Sequence, residues 1–276
     1  MPVESLDAGR LLAHPEFLPV LRASGLDAFE RVMEVAGGRI ARDFPGRRTV
    51  RLELRGSDGA SHAVFLKRYF PGYLSPVRRA LRWLRWPGAE DEAWREWTML
   101  HVLREAGIPS AVPLALGQER EGGRGVRSWL MTREIAGAVE GDEFAARLDP
   151  VARRCLLLRV AGLARQFHRA GLVHKDLYLA HVLAVPAEPE PGLFLIDLQR
   201  VVRPCCLLER WQVKDLAALA YSTLKAGASR ADMRAAFRAY LGAPRADRKL
   251  AREILKRVAW LRTRRPKHDA NFQQLQ

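Results

Sequence analysis

The stretch Gly171-Leu172-Val173-His174-Lys175-Asp176-Leu177-Tyr178-Leu179-Ala180-His181 places five polar or charged side chains in an otherwise apolar run. It follows a long helical pattern. That pattern opens at Asp149-Pro150, an N-cap with proline at the first helical position. It runs to about Ala170, and Gly171 lies just past its end. An aspartate in a loop held this way can take the proton of a hydroxyl and orient its oxygen. Downstream, Leu193-Phe194-Leu195-Ile196-Asp197-Leu198-Gln199-Arg200 puts a second aspartate at the end of an apolar strand, 21 residues after Asp176. Two short apolar runs, His181–Val185 and Leu193–Ile196, fill the interval around a proline-rich loop.

Upstream, Arg48–Leu54 alternates polar and apolar residues, Gly56-Ser57-Asp58-Gly59 reads as a hairpin turn, and Ala63–Tyr69 returns as the partner strand. Lys67 lies in that apolar strand and needs a partner for its ammonium, unless it is an edge lysine reaching water. Asp91–Ala106 is a helix whose period runs through Trp94, Trp97, Leu100 and Leu103. Glu96 sits near its centre, as a partner for Lys67 or as a solvated helix position. Strands follow at Val112–Gly117 and Ser128–Glu134, and Gly137–Gly141 reads as a linker. Pro15–Leu21 and Asp27–Val35 read as short N-terminal helices. Beyond the aspartates, 209–225, 230–241 and 246–263 read as helices. Strands with one helix, then mostly helices, describe an α+β chain of two lobes. The expected divisions are 1–136 (with a helical N-terminal extension and a basic insertion at 71–90), 137–264, and a flexible tail at 265–276.

Composition narrows the classes. At 276 residues, 48% hydrophobic and 28% charged, the chain is an ordinary globular mixture rather than disordered or collagenous. No apolar run approaches the roughly 20 residues of a membrane span. Met1–Arg10 lacks the basic-then-apolar order of a signal peptide, so a cytoplasmic protein is expected. Cys155, Cys205 and Cys206 supply neither a disulfide framework nor a zinc pattern. The net charge of +15 favours anionic partners. Only seven of the 46 basic residues are lysine, so Lys67 and Lys175 stand out.

Taken in order, Lys67, Glu96, His174-Lys175-Asp176-Leu177 and Asp197 resemble the parts of a kinase: a phosphate-binding lysine held by a helix glutamate, a catalytic loop and a metal-binding aspartate. A loop without chemistry would have to match at His174, Asp176 and Leu177 by chance. Asp215, in Lys214-Asp215-Leu216, either braces the catalytic loop by bonding its backbone, as in kinase-like folds, or supplies a helix-start charge. The departures are equally specific. No G-x-G-x-x-G precedes Lys67, Gln199 stands where D-F-G has glycine, and no A-P-E follows. Only 18 residues separate Asp197 from Asp215, too few for a peptide-binding activation segment. The acceptor is expected to be a small molecule or glycan.

Gly46-Arg47-Arg48-Thr49, Val64-Phe65-Leu66-Lys67, Arg95-Glu96-Trp97, His174–His181, Ile196–Arg200 and Lys214–Leu216 resemble the lipopolysaccharide core kinases of the Kdo/WaaP type, over about residues 28–225. His181 carries much of that likeness, because the family resembles H-x-D-x-Y-x-x-H where protein kinases keep asparagine. Lys175 replaces the family's usual arginine. The resemblance implies magnesium-ATP-dependent phosphorylation of a heptose or Kdo-type sugar on nascent lipopolysaccharide, at the inner face of the cytoplasmic membrane. It implies ATP between the lobes, with adenine near Arg133-Glu134-Ile135, phosphates on Lys67 oriented by Glu96, and Asp176 as base. It also implies magnesium on Asp197, with His181 as a further ligand or as a support for Asp176, and His174 and Asp215 holding the loop. Magnesium prefers oxygen, which makes an imidazole a second-rate ligand.

Two other functions compete. A soluble aminoglycoside- or choline-type kinase would favour asparagine at 181 and an acidic acceptor pocket. A pseudokinase would bind an acidic partner on its basic face. Nucleic acid is not an expected partner. Ser75–Trp86 (SPVRRALRWLRW) gathers Val77, Ala80, Leu81 and Leu84 on one helical face, flanked by Arg78, Arg82 and Arg85. It reads either as a helix lying on an anionic membrane or as a helix packed on the first lobe.

Overall fold

The computed structural model describes residues 2–70, 91–120, 126–187, 190–243 and 247–264. The basic insertion at 71–90 and the tail at 265–276 lie outside the described residues. The chain divides into two compact units, 1–105 with 110–135, and 106–109 with 136–276.

The first unit is built on a seven-stranded antiparallel sheet. Its strands are β1 (Glu4–Leu6), β2 (Leu11–Ala13), β3 (Arg39–Phe44), β4 (Arg47–Arg55), β5 (Ser61–Tyr69), β6 (Pro113–Arg120) and β7 (Val126–Arg133). Their order across the sheet is β1-β2-β6-β7-β5-β4-β3. Four of these strands match the sequence reading. β1, β2 and β3 were missed, because two are only three residues long and Arg39–Phe44 is almost wholly exposed, which leaves little alternation to see.

Helices α1 (Leu18–Ala23) and α2 (Phe29–Glu34) cover one face, where Phe29, Leu21, Val64, Leu66 and Trp129 share a core. Burying a side chain of this size is worth roughly 1.5–3 kcal/mol. Trp129 pairs with Gly117 across the sheet. A Cβ there would meet the indole at 2.2 Å, so glycine makes room for the largest core side chain. Helix α3 (Glu92–Glu105) carries its buried residues at Ala93, Glu96, Trp97, Leu100 and Leu103. The buried stripe is therefore turned from the one expected: Trp94 is exposed and Glu96 is 2% exposed.

The second unit is mostly helical, with a small antiparallel sheet of β8 (Val139–Glu140), β9 (Val182–Val185) and β10 (Gly192–Leu195). Val139–Gly141 thus contributes a strand and a helix start rather than a plain linker. Its helices are α4 (Gly141–Arg147), α5 (Pro150–Arg169), α6 (Leu208–Lys225), α7 (Arg230–Leu241) and α8 (Arg248–Arg264). The Asp149 carboxylate accepts from the N–H groups of Val151 and Ala152, the N-cap that the sequence signalled. Leu216, Ala217, Ile254, Val258 and Leu261 pack α6 against α8. No helix among the described residues is long and apolar enough to cross a membrane.

Candidate active site

In the first unit, β5 has β4 on one side and β7 on the other, so Lys67 lies in the sheet's interior and is not an edge lysine. The two-residue period sends Val64 and Leu66 into the core and Lys67 and Tyr69 to the opposite face. There Lys67 Nζ lies 2.5 Å from Glu96 Oε1, and the Tyr69 hydroxyl donates to Glu96 Oε2 at 3.1 Å. Glu96 is thereby fixed through both oxygens, and the reading of it as a solvated position falls. Tyr69 was missed by the sequence reading, although its spacing of two from Lys67 was the available signal. The β3–β4 hairpin turns through Pro45-Gly46, with Gly46 at φ +81°. Glu134 forms a two-pronged ion pair with Arg51 at 2.7 and 2.8 Å, and its N–H bonds Ala63 O at 3.0 Å. Its side chain and N–H are thus committed to the sheet. Ile135 is half-buried beside it.

In the second unit, the 171–181 loop is pinned at several points. Val173 and Val202 bridge through paired backbone bonds. The His174 N–H donates to Asp215 Oδ2 at 2.6 Å, and His174 Nε2 donates to the Ile196 carbonyl at 3.0 Å. Asp215 is fully buried and lies about two turns inside α6. It is therefore a brace for the loop and not a helix-start charge. His168, missed from sequence, lies 3.3 Å from the same oxygen, and its Nδ1 meets the Tyr240 hydroxyl at 2.9 Å. Burial, reinforced by neighbouring His181, holds the His174 imidazole below its ordinary pKa and hence neutral at pH 7.

Asp176 and Asp197 are brought together through His181. Its Nδ1–H donates to the backbone carbonyl of Asp176 at 2.7 Å, while its Nε2 faces Asp197 Oδ2 at 3.7 Å. That hydrogen bond leaves Nε2 as the lone-pair nitrogen in the neutral ring. Gln199 donates to the other Asp197 oxygen at 2.8 Å. Lys175 and Asp197 both have positive φ, +69° and +60°, a conformation that costs a non-glycine residue on the order of 1–3 kcal/mol and tends to cluster at functional sites. Arg200, another residue missed in sequence, forms an ion pair with the Asp176 carboxylate. The ammonium groups of Lys175 and Lys214 lie 5.0 and 5.7 Å from the centre of the Trp211 ring.

No cluster of three metal-binding side chains occurs among the described residues. Asp197 offers the carboxylate oxygen that a hard divalent cation such as magnesium takes, whereas the His181 imidazole beside it is a poorer donor for such an ion.

The model of the lipopolysaccharide kinase (Kdo/WaaP) family matches residues 33–240. The chain is 30% identical to the lipopolysaccharide core heptose(I) kinase WaaP of Escherichia coli, over 81% of this chain and 84% of that protein. It is 30% identical to the WaaP of Pseudomonas aeruginosa, over 86% and 88%. The solved structure of WaaP in complex with acyl carrier protein superposes with a TM-score of 0.66 at 27% identity, covering 95% of this chain and 97% of that one. With a sheet-rich first unit carrying the lysine–glutamate pair and a helical second unit carrying the two aspartates, the chain has a protein-kinase-like fold and belongs to the lipopolysaccharide kinase (Kdo/WaaP) family, whose members are phosphotransferases with an alcohol group as acceptor.

Proposed function

We propose that this protein transfers the γ-phosphoryl group of magnesium-ATP to a hydroxyl of a heptose or Kdo-type sugar in a lipopolysaccharide inner core. The observation that carries this reading is the joint placement of Asp176 and Asp197 around His181, on a loop pinned by Asp215. Asp176 orients the acceptor hydroxyl and takes its proton as the oxygen attacks the γ-phosphorus. The bond to the β–γ bridging oxygen breaks, and ADP leaves. Lys67 neutralises phosphate charge, and Glu96 and Tyr69 keep its ammonium from wandering. Ile135 and the remaining backbone of Glu134 receive the adenine. Asp197 would hold magnesium, which would supply charge neutralisation of the nucleotide phosphates.

His181 serves chiefly to position Asp176 through the bonded carbonyl, with the lone pair of its Nε2 as an auxiliary metal ligand beside Asp197. The full set of Lys67, Glu96, Asp176 and Asp197 supports catalysis over a pseudokinase role. The +15 charge supports work at an anionic membrane surface, on the cytoplasmic face where ATP is available, and disfavours a cationic acceptor. The test is ATP turnover on a panel of delipidated core oligosaccharides, with mass spectrometry of the product. A mass gain of one phosphate on a core sugar is expected. Turnover confined to aminoglycosides or choline, or none at all, would overturn the assignment.

A further inference from the structure

The surroundings of Asp176 are strongly cationic. Arg200, whose side chain is 56% exposed, pairs with the Asp176 carboxylate. Lys214 comes from α6 and lies close enough to feel the charges of Asp176, Arg200, Asp215 and Arg257. Lys175, next in sequence to Asp176, shares the Trp211 face with Lys214. Arg257, from α8, lies 3.9 Å over the Trp260 ring. Burial, then the neighbouring arginines, hold the Lys214 ammonium below its usual pKa, and Asp176 and Asp215 oppose them. Of the two facing carboxylates, Asp215 is buried and tied to the His174 N–H and His168. Asp176 must be free to receive a hydroxyl if it is to act as base. Once Asp176 turns to its acceptor, Arg200 and Lys214 need another anion.

We propose that Arg200 and Lys214 form an anion subsite that binds a carboxylate or phosphate carried by the acceptor beside the hydroxyl to be phosphorylated, so that Arg200 exchanges Asp176 for the acceptor's own charge. The inference rests on the function proposed above and deepens it, because it assigns residues of this chain to the acceptor's own charge. Arg200 suits the task. Its guanidinium is planar, exposed and able to grip a carboxylate or phosphate through two parallel hydrogen bonds. Lys214 adds a point charge whose ammonium lies 5.7 Å from the centre of the Trp211 ring. The exchange couples recognition to chemistry. A neutral sugar leaves Arg200 on Asp176, whereas an anionic one draws it away and frees the carboxylate for the incoming hydroxyl. Because Arg200 bonds Asp176 directly, the acceptor's anion must lie within a few ångströms of its reacting hydroxyl, on the same sugar or the next one.

The test uses steady-state kinetics of the full chain on three forms of one core oligosaccharide: untreated, with its carboxylates reduced to alcohols, and with its phosphates removed. Wild type is expected to show a KM at least tenfold higher for whichever treated form lacks the recognised anion, with KM for ATP unchanged. Loss with the reduced form identifies a carboxylate, and loss with the dephosphorylated form identifies a phosphate. Lys214→Gln and Arg200→Gln are each expected to shrink that ratio at least threefold, mainly by raising KM for the untreated acceptor. Arg200 is on the surface, so its variant remains informative if Lys214→Gln folds poorly. Equal KM for all three forms in wild type, or an undiminished ratio in Arg200→Gln, overturns the subsite while leaving the sugar-kinase function standing. Failure of wild type to phosphorylate any of the three overturns that function, and the subsite with it.

Discussion

The backbone N–H of His174 lies 2.6 Å from Oδ2 of Asp215, a residue 41 positions later in the chain, and neither residue is exposed to solvent. A buried carboxylate in α6 therefore fixes the course of the loop that carries Asp176. Stranding that N–H would cost roughly 1–3 kcal/mol.

Asp215→Ala should lower the melting temperature and reduce kcat, with little change in KM for ATP. Asp215→Asn keeps an acceptor oxygen at the same place and should recover part of both losses. Thermal melts with steady-state kinetics measure this. An Asp215→Ala enzyme with wild-type kcat would remove the brace from the account.

Asp176→Asn should abolish most phosphotransfer while nucleotide binding survives, because the carboxylate acts on the acceptor. Loss of a general base alone is worth about 10²–10⁴ in rate. Single-turnover rates set beside a nucleotide titration decide it, and near-normal turnover would rule Asp176 out as the base.

Lys67→Met and Asp197→Ala should weaken nucleotide binding in distinguishable ways. In the proposed site Lys67 meets phosphate directly, so its loss should persist at every magnesium concentration. In that site Asp197 works through the ion, so excess magnesium should partly restore binding. Titrating nucleotide at low and high magnesium separates them. Identical behaviour of the two variants would show that Asp197 does not hold the metal.

Stability should fall in mild acid because of His174. Its folded-state pKa is lowered by burial and by His181, so the unfolded chain takes up a proton near pH 6.5 that the folded chain refuses. Stability is retained above the unfolded value and lost as pH drops below it, at up to about 1.4 kcal/mol per pH unit for one group. His14 is shifted the same way, chiefly by burial, and adds to the slope. His174→Gln should flatten the loss of denaturation midpoint between pH 7 and pH 5.5. A slope equal to wild type would exclude His174 as a source.

Replacing Arg78, Arg82 and Arg85 by Gln should weaken binding to anionic vesicles by roughly 3 kcal/mol if all three engage, at about 1 kcal/mol each. Turnover on a soluble, delipidated acceptor should change much less. Sedimentation with anionic and neutral vesicles at two salt concentrations provides the measurement. Wild-type binding that is absent, or equal on neutral vesicles in high salt, would remove electrostatic anchoring.

By itself, the sequence determined the elements whose signals are local. Asp149-Pro150 announces α5, alternation announces β4, the Gly56–Gly59 turn announces its partner β5, and the Lys67, Glu96, Asp176, Asp197 order resembles that of a kinase, because each such signal rests on residues a few positions apart or on motif spacing. Tertiary structure alone decided what depends on a partner far along the chain. It turned Glu96 inward onto Lys67 and Tyr69, made Asp215 a brace for His174 across 41 residues, set His181 between Asp176 and Asp197, and delivered Arg200 to the Asp176 carboxylate. A polar side chain reads the same in sequence whether it faces water or a buried partner. Only the packing of distant elements removes the water and makes that one partner its remaining means of satisfying charge and hydrogen bonds.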